Sequence, residues 1–253
     1  VETIVVADAT HSVNPSTGED YDKQFLAAAL DLLDGLARAL GDSFGQLLDT
    51  PGCVGGAGAG GAGTGGSGHF FELLRQCCVD EENDVRRAAL CVVGDMASHS
   101  RAAFGGEGSE RAAGLLPVLL ENLQATDPSF YACCSNAAWA LGELTVAFGE
   151  GAVGAQLEPA LRRLGVVITH ERREEFSPSH LTNLAVAIGR LGIACPQRAA
   201  QQSAEVLGLL AEPEEGCFAL EDARWAKYLL PKGYGASGGA RLVCCRVLGC
   251  VSR

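Results

Sequence analysis

One short pattern recurs four times along this chain and constrains its fold more than any other feature: an Ala/Leu-rich helical run built around a glycine. The runs are LDLLDGLARALG, ALCVVGDMA, AAWALGELTVAFG and LAVAIGRLGIAC, centred on Gly35, Gly94, Gly142 and Gly189. The intervals between these glycines are 59, 48 and 47 residues. The first interval contains the low-complexity run VGGAGAGGAGTGGSG at 54–68. Without about a dozen residues of that run, a single period of roughly 47 remains, the period of stacked helix pairs. A unit of that kind buries its apolar face only against its neighbours, so an array makes an extended surface rather than an enclosed pocket. The pattern predicts an all-α solenoid whose business is binding.

Composition agrees. The chain is 47% hydrophobic but only 6% aromatic, which suits Ala/Leu helix packing. It has no apolar run of 18 or more residues, so no membrane span is expected. The start, at Val1, has no basic-then-apolar signal pattern and suggests a piece of something longer. The net charge of −12 disfavours nucleic acid as a direct partner, because phosphate contact needs basic clusters. It favours a basic partner instead. Of the 11 cysteines, Cys77, Cys78, Cys91, Cys133, Cys134 and Cys195 lie inside apolar helical runs, where a free thiol acts as a small hydrophobe. No CxxC pair and no zinc-finger histidine spacing occurs, so neither a disulfide framework nor a metal site is expected.

Helical periodicity runs from Lys23 to about Leu40, from His69 to Val79, and over 84–104, 110–125, 127–149, 155–169, 177–195 and 198–211. Asp127-Pro128 and Ser177-Pro178 are start signals, and Gly149 and Pro196 are stops. Residues 1–23 read as the end of a helix followed by a loop, and 213–253 as a divergent tail with little order. The expected organisation is therefore a repeat array over 1–212 with an inserted glycine-rich loop.

Two motifs imitate catalysis. The glycine run holds GxGxxG twice, from Gly58 and Gly63, but no strand precedes it as a dinucleotide loop requires. Gly235-Ala236-Ser237-Gly238-Gly239 matches GxSxG, yet no Asp, Glu or His follows Ser237 to complete a triad. No reaction and no cofactor are expected.

Counted from the motif glycine, offsets −6, −3 and +1 form one helical stripe. In the third and fourth periods it carries Asn136 and Asn183, Trp139 and Val186, and Glu143 and Arg190. The second period adds Asp95, and the first places Asp31 level with Trp139. Asp31, Asp95, Asn136, Trp139, Asn183 and Val186 are the candidate binding residues. Asparagine both donates to and accepts from a peptide backbone, tryptophan offers a flat apolar face that attracts cations, and the carboxylates suit Lys or Arg. The same spacing also fits a core tryptophan with asparagines bridging neighbouring helices.

At these residues the sequence resembles the transportins, nuclear import receptors of the importin-β superfamily. The resemblance is carried by YDKQFLAAALDLLDGLARALG, LLRQCCVDEENDVRRAALCVVGDMA, CCSNAAWALGELTVAFG and LAVAIGRLGIACPQ, in the family's order, over roughly residues 20–200. It implies HEAT repeats, helix pairs in a right-handed superhelix, with a concave face that binds basic nuclear localisation signals of the Pro-Tyr type. It also implies that the six candidate residues line part of that face, and that the chain shuttles between cytoplasm and nucleus. Nucleoporins are a further implied class of partner. The family's repeats for the Ran GTPase have no counterpart in the matching stretch, so no Ran site is expected here. Arg38 and Arg87 depart from the family pattern and would repel a basic cargo. The alternative reading is a helical-repeat scaffold without import activity.

Overall fold

A computed structural model describes residues 23–49, 66–105, 108–124, 127–168, 170, 175–195 and 197–198. Eight α-helices occur among these residues: α1 (Lys23–Leu40), α2 (Phe44–Asp49), α3 (Gly66–Cys77), α4 (Asn83–His99), α5 (Gly108–Asn122), α6 (Tyr131–Val153), α7 (Leu157–Ile168) and α8 (Pro178–Ala194). Among the described residues there is no strand. The helices expected from periodicity appear within a few residues of their predicted limits. One difference lies at α3, which begins at Gly66 rather than His69 and so takes in the last glycines of the low-complexity run. Another is that 84–104 is not one helix: α4 ends at His99, and a 3-10 turn, Arg101–Phe104, follows. The expected tail, residues 54–65 of the expected 54–68 loop, residues 199–211, the GxSxG motif, the first GxGxxG and the reading of 1–22 lie outside the described residues, whereas the second GxGxxG runs into the start of α3.

The chain divides into two compact units, residues 1–122 and 123–253. In the first unit the motif helix α1 packs along the motif helix α4, and in the second α6 packs along α8. The long-range hydrogen bonds keep the sequence period. Ser100 Oγ donates to the Ala37 carbonyl, 63 residues away, and Lys23 Nζ bonds Asp80, 57 residues away. In the second unit Asn183 bonds Ser135 across 48 residues, and Arg190 bonds Glu143 across 47. Within each unit the two motif helices therefore meet side by side, in register, running the same way.

Each interface is closed by small and aliphatic residues of the shared pattern. Leu90, Val92, Val93 and Met96 on α4 are fully buried, as are Ala137, Ala138, Leu144, Leu184, Ala187 and Ile188 in the second unit. Each fully buried aliphatic side chain contributes roughly 1.5–3 kcal/mol relative to exposure. Small residues also matter for close approach: a Cβ on Gly45 would lie 3.0 Å from the Ala103 Cα, where α2 rests on the 3-10 turn. Gly149 takes φ 63, breaking α6 near the expected stop. On α1, Phe25 and Leu32 remain exposed, one above the other at a seven-residue spacing.

Candidate peptide-binding faces

The six candidate residues fall into two sets, one in each unit. Asp31 and Asp95 belong to the first. Asp31 is exposed on α1, one turn before Asp34. Asp95, the residue after the motif glycine of α4, is only 2% exposed. Its carboxylate meets a cation: Arg38 Nη2 lies 2.7 Å from Asp95 Oδ2 and 3.0 Å from Asp34 Oδ2. His99, one turn along α4, brings Nδ1 to 3.2 Å from Asp95 Oδ1.

Two carboxylates so close to one another, with limited access to water, cannot both ionise freely. Burial, then hydrogen bonding and like charge from Asp95, raise Asp34 well above the usual carboxylate value; Arg38 opposes the shift without cancelling it. Cys91, one turn before Asp95, is pushed up to about 11, chiefly by burial and then by Asp34 and Asp95. Its thiol therefore stays protonated and unreactive near neutrality. Cys77, Cys78, Cys133, Cys134 and Cys195 likewise form no disulfide, and all five are buried.

Asn136, Trp139, Asn183 and Val186 belong to the second unit. Asn136 and Trp139 share a face of α6 one turn apart, both partly exposed. On α8, Val186 is 9% exposed. Asn183 Nδ2 donates to Ser135 Oγ at 3.0 Å and lies 3.3 Å from the Ser135 carbonyl. The seam between α6 and α8 thus joins Asn183 to Ser135, one residue before Asn136. One turn beyond Trp139, Arg190 Nη1 donates to Glu143 Oε1. Gly142 makes room for that pair, because a Cβ there would lie 3.2 Å from both Cδ and Nη1 of Arg190.

Chemically, this face offers a partly exposed indole, asparagine amides at the seam, and a carboxylate already matched to an arginine. The sequence reading did not identify Ser135 or the Arg38 and Arg190 ion pairs as partners of the stripe. The signal for Glu143 and Arg190 was present, since opposite charges stand at the same offset of consecutive periods. Asp34 and Arg38 are likewise four apart on one helix, a spacing that places them together. Nothing local links Arg38 to Asp95 across 57 positions. Among the described residues no cluster of His, Cys, Asp or Glu could hold a metal ion, and no helix is long and apolar enough to cross a membrane.

No family model matches the chain. Transportin-1 of Mus musculus and of Homo sapiens are each 30% identical to it over 194 residues, covering 75% of this chain and 18% of the relative. Importin subunit beta-2 of Schizosaccharomyces pombe is 26% identical over 216 residues, covering 81% of this chain and 21% of the relative. The chain therefore spans about a fifth of the length of the curated relatives it matches. Among solved structures, a designed armadillo repeat protein overlays with a TM-score of 0.52 at 16% identity, covering 99% of each chain, a likeness of fold alone. Homology over three quarters of its length, joined to an all-α repeat fold, makes this chain a transportin-like segment.

Proposed function

We propose that this chain acts as part of a nuclear import receptor, capturing extended basic localisation signals of the Pro-Tyr type on its motif helices. The observation that carries the reading is Trp139: a partly exposed indole on α6, one turn from Asn136, within a stretch homologous to transportins. Such an indole supplies stacking, apolar contact and attraction for a cationic side chain. Asn136 and Asn183 are the proposed backbone partners, Val186 an apolar contact, and Asp31 and Asp95 the partners of Lys or Arg. Passage between cytoplasm and nucleus, and contact with nucleoporins, belong to the same proposal. No catalytic step is involved.

A second reading, a repeat scaffold without import activity, draws on a different observation. Asn183 is bonded to Ser135 and Asp95 is held by Arg38, so part of the polar stripe serves helix–helix contact. A flexible signal must also be ordered on binding, which lowers its affinity. A limited contact set should give a Kd on the order of micromolar or weaker.

Fluorescence anisotropy of a labelled basic Pro-Tyr peptide separates the two readings. Binding should weaken with salt and fall at least several-fold, about 1 kcal/mol or more, in Trp139→Ala. Binding that ignores Trp139, or none at all, would leave the scaffold reading.

A further inference from the structure

In the first unit Asp95, one of the two carboxylates assigned above to a basic ligand, already carries a cation from the same chain, shared with Asp34. The two sides of that contact differ in a way that matters. Asp95 is 2% exposed and Asp34 15%, whereas the Arg38 side chain is 55% exposed. The acidic side is fixed in the seam between α1 and α4, while the guanidinium reaches it from the solvent side.

We infer that Arg38 is an intramolecular gate, its guanidinium occupying the place that a Lys or Arg of a basic ligand takes on Asp34 and Asp95. A ligand gains these carboxylates only by displacing it. The inference rests on the reading of the chain as a receptor for basic segments, and it names how that same site is regulated.

The second unit provides an internal contrast. Arg190 and Glu143 also join neighbouring motif helices, but both are largely covered, at 15% and 12% exposure. With Arg190 lying against Gly142, that pair is part of the helix seam. Arg38 has no such enclosure. The Arg38 guanidinium lies half in solvent and retains access to other rotamers, so a competing cation can take its place without leaving the buried Asp95 carboxylate uncompensated. While it is seated, apparent ligand affinity is reduced by the fraction of time the site is closed. The gate thereby favours ligands that present several cations over those that present one. It also changes the meaning of Arg38 as a departure from the family pattern: the residue competes with the ligand for a site as well as repelling it.

The test uses the whole chain and a fluorescein-labelled basic Pro-Tyr peptide, at low and at physiological salt. Arg38→Gln should bind about fivefold more tightly than the unaltered chain, with a steeper salt dependence. Adding Asp95→Asn should remove that gain. Circular dichroism establishes that each variant is folded, and Arg38→Lys serves if the glutamine variant is not. Lysine keeps the charge but loses the planar fork, so a smaller gain of about twofold is expected. Unchanged or weaker binding by a folded Arg38 variant overturns the gate. If binding depends on Trp139 but not on Arg38, the gate fails and the receptor reading stands. If neither the unaltered chain nor Arg38→Gln binds the peptide, both fail together.

Discussion

Phe104→Ala is expected to destabilise the first unit by about 3–5 kcal/mol, the range for truncating a fully buried aromatic side chain. Phe104 is completely buried at the end of the 3-10 turn that follows α4. Its ring stands 5.1 Å from Phe71, which lies 5.7 Å from Phe70, which in turn lies 6.5 Å from Phe44. This row of rings links α2, α3 and the turn. Arg111 reinforces it from α5, placing its guanidinium 5.4 Å from the Phe71 ring centre and donating to the Phe104 carbonyl at 3.0 Å. Truncation therefore removes both apolar burial and the tilted ring contact with Phe71. Urea unfolding followed by circular dichroism checks the size of the effect. A loss below about 1 kcal/mol would mean that the site collapses around the cavity and that the aromatic row is not what closes the unit.

The second large effect is acid sensitivity arising from His180. This side chain is 2% exposed at the first turn of α8, and neither ring nitrogen has a hydrogen-bond partner. Its ring lies 4.4 Å from that of Phe176 and 6.0 Å from that of Tyr131. Burial pushes its pKa down from 6.5 to about 4. A position at a helix N-terminus also disfavours a cation there. The unfolded chain therefore takes up a proton near pH 6.5 that the folded chain refuses until about pH 4. Between those values the unfolded state binds more protons, so stability falls as the pH falls. At the acid end the loss is on the order of 2–3 kcal/mol. His180→Phe should abolish that limb of the pH profile and leave stability at neutral pH equal or higher, since two unpaired nitrogens are removed. Thermal melts from pH 7.5 to 4 would show it; an unchanged acid slope in the phenylalanine variant would contradict the account.

The sequence revealed the fold most fully where a local signal and the repeat period agreed. Asp127-Pro128 does open a helical segment: the Asp127 carboxylate accepts from the Ser129 amide, and the turn leads directly into α6. Ser177 caps α8 by accepting from the His180 amide, and Gly149 breaks α6 with a positive φ. These are short-range effects, set by residues within three or four positions of one another. The 3-10 turn at Arg101–Phe104 and the six-residue α2 were not legible, because their placement depends on contact between Gly45 and the Ala103 backbone.

The candidate faces were legible in a different measure. Helical spacing alone placed Asn136 with Trp139, and the structure has them one turn apart on α6. What spacing could not reveal was the state of the charges. Asp95 reads as a carboxylate available to a ligand, yet burial and Arg38 hold it within the protein. Asn183 reads as a partner for a peptide backbone, yet its amide already reaches Ser135. Both facts depend on which residue of a neighbouring helix stands opposite, and a one-residue change of register alters the answer.

The central claim is that an extended basic peptide lies on the motif helices, at Trp139 and its neighbours. Its most direct test is the footprint of that peptide on the side-chain resonances of the chain, recorded by nuclear magnetic resonance during titration. The account predicts that the Trp139 indole and the Asn136 and Asn183 side-chain amides shift together, with a common saturation. Shifts confined to α3, α5 or α7, with Trp139 unmoved at saturation, would contradict it.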